Sequence, residues 1–137
     1  MTPSQDLVLS LHQMMTHLMK RIDRPLSAHG ISFSEFLVLF QLSQAPNQTL
    51  RRLDLAEAIG MSASGVTRLL NPMEKNRLVQ KESNPRDARV SLVQLSEAGQ
   101  RIYQETLATF EHAASDFFKP LKEEQIQRML GLSQALL

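Results

Sequence analysis

The sequence predicts a mainly α-helical fold with one small β-hairpin, and three features in the middle of the chain carry this prediction. A helix-sized segment, Arg52–Ile59, ends at Gly60, and Ser62 opens a second helix after a short turn. Two alternating segments follow, on either side of the turn-rich tip at 84–89. Two helices joined by a turn containing glycine and followed by a hairpin describe a winged helix-turn-helix, whose second helix enters the DNA major groove.

Length and composition bound the class of protein. The chain has 137 residues, of which 42% are hydrophobic, so we expect one folding unit, 1–137. It has no cysteine, which excludes disulfides, thiolate metal sites and thiol-based oxidant sensing and fits a reducing cytosol. The longest apolar run is Phe36–Phe40, and no basic region precedes the first apolar residues. We therefore expect a soluble cytoplasmic protein with neither a signal peptide nor a membrane partner.

The net charge of +1 is unevenly divided along the chain. Residues 51–101 hold nine basic and six acidic side chains, whereas the remainder holds six basic and eight acidic ones. A positive excess attracts a phosphate backbone, because binding releases condensed counterions. The excess is modest, and taken alone it favours a solvated basic face over a DNA site.

The first two helices are predicted from periodicity and capping signals. A helix over Gln5–His29 has an apolar stripe formed by Leu7, Leu11, Met14, Leu18 and Ile22. Ser32 and Glu35 fit a capping box, which predicts a second helix from Phe33 to about Ala45 that stops at Pro46.

The helix-turn-helix has two predicted inward faces. The first is Leu53, Leu55, Ala56 and Ile59, and the second is Val66, Leu69, Leu70 and Met73. With Ser62 as the N-cap, the residues predicted to be exposed at the start of the second helix are Ala63, Ser64, Gly65, Thr67 and Arg68. Small side chains let a helix N-terminus approach phosphate closely. An ordinary helical core can show the same pattern.

The remaining elements are a hairpin and two long helices. Strands are predicted at 78–82 and 90–95, followed by a helix that Ser96 caps and Pro120 ends, and by a last helix at 123–136. A lone winged helix cannot cover the apolar stripes of the flanking helices, and a second copy of the chain can. We therefore predict a homodimer, in which dimerisation helices at 1–30 and 100–137 flank a winged helix at 31–99.

Four motifs, taken together, match a known family. They are Leu55-Ala56-Glu57-Ala58-Ile59-Gly60-Met61-Ser62, Val66-Thr67-Arg68-Leu69, Asp87-Ala88-Arg89 and Leu95-Ser96-Glu97-Ala98-Gly99. In this order the chain resembles the MarR family of bacterial transcriptional regulators. The resemblance implies a homodimer that binds a pseudo-palindromic operator in double-stranded DNA, acts as a repressor, and is released by a small anionic or phenolic ligand or by oxidation.

The resemblance also implies site residues. Ser62, Ala63, Ser64, Thr67 and Arg68 would face the major groove, and Arg86 and Arg89 would reach the minor groove from the wing. Asp87 is either the partner of a neighbouring arginine or simply a turn residue. Arg51 and Arg52 lie at the positive end of a helix dipole, where phosphate contact and simple solvation are both open.

Three residues depart from the family pattern. Pro72 falls inside the predicted recognition helix, where it removes a hydrogen bond to the carbonyl of Arg68 and should kink the helix at a cost of roughly 3 kcal/mol. Asn76 is interpreted as the left-handed residue that ends this helix, in place of glycine. Lys81 replaces an arginine after the first wing strand, which keeps the charge but loses the planar fork.

Other functions are less well supported. No catalytic triad, phosphate loop or carboxylate pair is present, so we expect neither an enzyme nor a cofactor. The histidines lack ligand spacing, although a metal-responsive regulator remains an alternative, as does a winged helix that binds protein instead of DNA. A phenolic or carboxylate effector would bind where the first two helices meet the DNA-binding part, with His17 and Arg21 supplying polar groups and Phe36 an apolar wall.

Overall fold

The computed structural model describes all 137 residues and confirms a helical protein with a small sheet. The helices are α1 (Pro3–Ser27), α2 (Phe33–Gln44), α3 (Arg52–Ile59), α4 (Ala63–Lys75), α5 (Glu97–Phe117) and α6 (Glu123–Gln134). The strands are β1 (Thr49–Arg51), β2 (Val79–Asn84) and β3 (Asp87–Leu95), and they form one antiparallel sheet in the order β1-β3-β2. No helix is long and apolar enough to cross a membrane.

Capping boxes begin the first two helices. Ser32 Oγ accepts a hydrogen bond from the Glu35 backbone N–H at 3.1 Å, while Glu35 Oε1 accepts one from the Ser32 N–H at 2.9 Å. The predicted start of α2 at Phe33 is thus confirmed. Helix α1 begins at Pro3, two residues before its predicted start, because Thr2 and Gln5 form a second capping box there.

The sheet is larger than the predicted hairpin. Strand β1 was not predicted, because three residues are too few to show an alternating pattern. Its Leu50 pairs with Val93 of β3, and Lys81 of β2 pairs with the same Val93 from the other side. Strands β2 and β3 extend beyond their predicted ends to the two-residue tip Pro85-Arg86, with a register shift between Ser83 and Asn84.

One hydrophobic core joins the helix-turn-helix to the flanking helices. Sixteen of its 17 residues come from α1, α2, α3, α4, the sheet and α5, and the other, Ile31, lies in the loop before α2. An aromatic stack lies at its centre, where the rings of Phe36 and Phe110 are 4.6 Å apart and Phe36 also contacts Phe33 and Tyr103. Helix α5 is therefore built into the core of the winged helix.

Two predicted orientations in the helix-turn-helix are wrong. Leu53 is 67% exposed, because the inward stripe of α3 is formed by positions 52, 55, 56 and 59. Gly65 is buried, because the side chains of Met61 and Ser62 lie against it. The residue that takes the inward position at the start of α3 is Arg52, whose side chain is only 16% exposed.

Pro72 does not end the recognition helix, which runs on to Lys75. The Asn76 N–H donates to the carbonyl of Pro72 itself at 2.9 Å, so the turn after the proline is closed. Pro72 and Arg68 are both exposed. The hydrogen bond lost at Pro72 therefore lies on the outer face of α4, where water can replace it.

The left-handed residue after α4 is Arg77 and not, as predicted, Asn76. Asn76 has a φ of −84°, whereas Arg77 has a φ of +63°. The Arg77 N–H donates to Glu74 O and the Leu78 N–H donates to Met73 O, the pattern of a Schellman motif with Arg77 at its left-handed position. Helix α3 ends in the same motif, but there Gly60 is the left-handed residue, with a φ of +70°.

We predict that Arg77→Gly stabilises the fold, because glycine adopts a positive φ without the clash that an arginine Cβ meets. The expected gain in the free energy of unfolding is about 1 kcal/mol. Asn76→Gly is the matched control and should lower stability, since its φ is negative and glycine only adds unfolded-state entropy. Chemical denaturation of both variants measures the difference, and a less stable Arg77→Gly protein would show that the arginine side chain makes an overriding contact.

Candidate nucleic-acid interface

The outer face of α4 presents small and polar side chains. Ser62 caps the helix by accepting a hydrogen bond from the Gly65 N–H at 3.1 Å. The residues exposed on this face are Ser62, Ala63, Ser64, Thr67, Arg68, Asn71 and Lys75. The Thr67 hydroxyl donates to the carbonyl of Ala63 at 3.1 Å, which leaves its oxygen free to accept. Arg68 makes no ion pair.

Asn71 was not predicted from the sequence, although helical spacing places it beside Thr67 and Arg68. It is exposed on the same face, one turn further along α4. An asparagine amide can pair in two places with an adenine edge in the major groove. The signal that identifies Asn71 is the i, i+4 continuation of the polar face beyond Arg68.

At the wing tip Asp87 pairs with Arg89. Asp87 Oδ1 accepts hydrogen bonds from the Arg89 backbone N–H at 3.0 Å and from Arg89 Nε at 3.1 Å. These bonds, first from the side chain and then from the backbone, lower the pKa of Asp87 from its ordinary value. The pair is therefore intact at neutral pH and is lost only as the pH falls through that lowered pKa. The Arg89 side chain remains 91% exposed, so the carboxylate orients it without covering it.

The neighbouring residues Arg51 and Arg52 have different surroundings. Arg51 is exposed and bonds Asp54 twice, from Nε at 2.8 Å and from Nη2 at 3.0 Å. This side-chain hydrogen bond raises the pKa of Arg51 and lowers that of Asp54. Arg52 is mostly buried and bonds Glu74 on α4. Of the two, only Arg51 has a side chain exposed enough to reach a ligand without rearrangement.

Ion pairing leaves the local charge excess unchanged but lowers the number of unpaired cations. Three of the nine cations between residues 51 and 101 are paired with acids of the same segment. The six that make no ion pair are Arg68, Lys75, Arg77, Lys81, Arg86 and Arg101. Free cations on an exposed surface attract polyanions.

The residues predicted to hold an effector do not form one site. Arg21 Nη2 donates to Asp116 Oδ2 at 2.8 Å, and its guanidinium lies 5.5 Å from the Phe117 ring centroid. Arg21 lines a cavity of about 490 Å³ between α1 and α5 and, with His17, a second cavity of about 290 Å³. Phe36 is 1% exposed and lines neither, because its ring is part of the aromatic stack in the core.

The histidines are scattered through the structure. His29 Nε2 lies 2.8 Å from Thr109 Oγ1, which ties the loop after α1 to α5. No three His, Cys, Asp or Glu residues are grouped so as to hold a metal ion.

Comparison with known proteins gives consistent matches. Residues 29–90 match the model of the MarR family. The transcriptional repressor MprA of Escherichia coli K12 is 24% identical over 98% of this chain and 78% of its own length. Sco3205, a MarR family regulator from Streptomyces coelicolor solved in complex with DNA, has a TM-score of 0.89 at 24% identity, covering 99% of this chain and 87% of that chain. CouR from Rhodococcus jostii RHA1, solved bound to p-coumaroyl-CoA, has a TM-score of 0.84 at 20% identity. The match covers 97% of this chain and 92% of that chain.

The structural matches establish the winged-helix fold with its flanking helices. The family model spans the turn after α1, helix α2, the helix-turn-helix and the wing tip, and the sequence match to MprA extends over the flanking helices. Over residues 29–90 the sequence thus matches the MarR family model, and over nearly its whole length the chain is similar in fold to MarR family regulators.

Proposed function

We propose that the protein is a homodimeric repressor that binds a pseudo-palindromic operator and is released by a small ligand. The observation that carries DNA binding is the outer face of α4, where small residues beside the N-cap are followed by the unpaired guanidinium of Arg68. MprA is described as a repressor, and the structure of Sco3205 contains DNA, which supports the proposal by analogy. Repression would follow from occlusion of a promoter.

The two DNA-contacting elements have different tasks in this proposal. Ser62, Ala63 and Ser64 bring the N-terminus of α4 close to phosphates, while Thr67, Arg68 and Asn71 read base edges in the major groove. Arg86 and Arg89 contact the minor groove from the wing, with Asp87 holding Arg89 in place. Arg51, on the surface at the start of α3, contacts a phosphate.

Dimerisation is proposed from the apolar surface that the single chain leaves uncovered. On α1 the exposed fractions are 55% for Leu7, 65% for Val8 and 47% for Met15. On α6 they are 55% for Leu130 and 70% for Leu132. Contiguous apolar surface at both ends of a chain marks an association surface, and two-fold pairing of identical chains covers both ends at once.

We predict that the protein sediments at micromolar concentration as a dimer, with twice the 15.5 kDa mass of the chain. Leu7→Glu combined with Leu130→Glu should give a folded monomer, because both positions are exposed in the single chain and would be buried only in the dimer. Leu53→Glu is the control, since Leu53 is equally exposed but lies on α3. A wild-type monomer, or a dimer unaffected by the double substitution, would contradict this assignment.

We predict that Arg68→Ala and Arg89→Ala change DNA binding in different ways. Arg68→Ala should cost about 1 to 3 kcal/mol on the operator and relax sequence preference, because it removes a base-edge contact. Arg89→Ala should weaken operator and scrambled duplexes more equally and lower the slope of log K against log salt by about one. Titrations of both duplexes at several salt concentrations measure this. If neither variant loses affinity, a winged helix that binds protein becomes the better interpretation.

Ligand release is proposed to act through the Arg21–Asp116 pair. A carboxylate or phenolate entering the cavity between α1 and α5 can take the place of Asp116 as the partner of Arg21. The bond is exposed, with 53% and 54% of the two side chains accessible, so the exchange needs little desolvation. The complex of CouR with p-coumaroyl-CoA supports an aromatic acid derivative as the class of ligand.

We predict that a benzoate-type acid or a simple phenol raises the melting temperature and weakens operator binding. A ligand present at 100 times its Kd stabilises a protein by about 2.7 kcal/mol. Arg21→Gln should abolish the thermal shift, whereas Arg128→Gln, on α6 and without a salt-bridge partner, should retain it. Thermal melts with and without each compound test this, and equal shifts in the two variants would place the ligand elsewhere.

A further inference from the structure

A single ion pair joins the two helices of the helix-turn-helix. Arg52 is the first residue of α3, and Glu74 is the last residue but one of α4. We propose that this pair is a clamp that sets the orientation of α4, so that Arg52 is a positioning residue for DNA reading and not a phosphate contact. The proposal rests on the proposed function of α4 as the reading helix.

The location of Arg52 supports a role between the helices. Positions 52, 55, 56 and 59 form the inward stripe of α3, and the other three are apolar. The Arg52 side chain is 16% exposed, against 55% for that of Arg51. Its Nη2 donates to Glu74 Oε1, and the Glu74 side chain is itself 25% exposed. Arg52 thus points at α4, while Arg51, the last residue of β1, is exposed and bonds Asp54 in the first turn of α3.

The location of Glu74 explains why α4 needs an anchor there. Pro72 deprives the carbonyl of Arg68 of its helical donor, so the last turn is held to the preceding turn by one hydrogen bond fewer. The N-terminal end of α4 is fixed by the Ser62 cap. The Glu74 carboxylate bonds α3 beyond the proline, so α4 is held on both sides of Thr67, Arg68 and Asn71.

The chemistry of the pair suits a role in orienting α4 better than a role in stabilising the fold. Arg52 Nε is buried and has no hydrogen-bond partner. A mostly buried ion pair with an unsatisfied donor is a poor source of folding free energy, and apolar residues of similar volume often replace such pairs without loss. A charged hydrogen bond does, however, fix direction as well as distance. We therefore assign the pair to the geometry of α4 instead of its stability.

The clamp and a direct phosphate contact make opposite predictions for Glu74. If charge alone matters, Glu74→Gln removes a negative charge beside a polyanion and should tighten binding to any duplex. If the pair is a clamp, Glu74→Gln and Arg52→Met both release the end of α4. Both should then weaken binding to the operator by about tenfold, the scale seen for network residues that touch no ligand.

The experiment uses the full chain and a duplex selected in vitro for binding by the wild-type protein, with its scrambled counterpart. The variants are Arg52→Met, Glu74→Gln and the charge swap of Arg52→Glu with Glu74→Arg. We expect each single variant to lose affinity for the operator, with little change in affinity for the scrambled duplex. The slope of log K against log salt should not change. The swap should recover most of the loss. Arg51→Gln is the control, expected to weaken both duplexes and to lower the slope by about one.

Two outcomes would overturn the clamp. One is tighter binding by Glu74→Gln together with a lower salt slope for Arg52→Met, which is the signature of a phosphate contact. The other is measured by amide hydrogen exchange without DNA. If the clamp exists, the single variants exchange faster than the wild type in the last turn of α4, and the swap restores protection. Unchanged exchange in the single variants refutes the clamp even if no duplex binds. Failure of the wild type to bind any duplex, with exchange as expected, refutes only the proposed DNA binding.

Discussion

The hydrogen bonds of Ser96 hold the DNA-binding part together. Its hydroxyl lies 2.6 Å from the carbonyl of Arg77 and 2.9 Å from that of Leu78, and it also accepts the Gly99 N–H at 2.9 Å. One side chain thus joins the end of α4, the base of the wing and the start of α5. Gly99 is required here, because a Cβ would lie 2.1 Å from the Leu78 oxygen. The motif Leu-Ser-x-x-Gly is therefore a junction, and the positions of the reading helix and the wing both depend on it.

The ion pairs of the helix-turn-helix and the wing differ in how exposed their arginines are. Asp54 and Asp87 each hold an exposed arginine that can still meet a phosphate. Glu74 holds an arginine whose side chain is only 16% exposed. A plain count of positive charge therefore overstates the number of cations that are both exposed and unpaired.

Local signals in the sequence predicted most of the fold. Ser32 with Glu35, Gly60 and Ser62 each mark a helix boundary within a few residues, so α2, α3 and the start of α4 were placed correctly. Features that depend on residues distant in sequence were not predictable. Strand β1 exists only because β3 pairs with it, and the pair of Arg52 with Glu74 spans 22 positions. Phe36 was misplaced for the same reason, since the α5 aromatic rings that bury it lie more than 60 residues away in the chain.

Strand β3 has a further consequence for the order in which the chain can fold. The helix-turn-helix leaves the sheet at β1 and returns to it at β2, and both strands are hydrogen-bonded to β3 alone. Until β3 is available, β1 and β2 have no common partner, and the helices between them form an open loop whose closure carries an entropy penalty. During synthesis the sheet on either side of α3 and α4 is therefore complete only once β3, which ends at Leu95, has been made. A nascent chain that ends before β3 contains the residues of α4 but lacks the strand that joins β1 to β2.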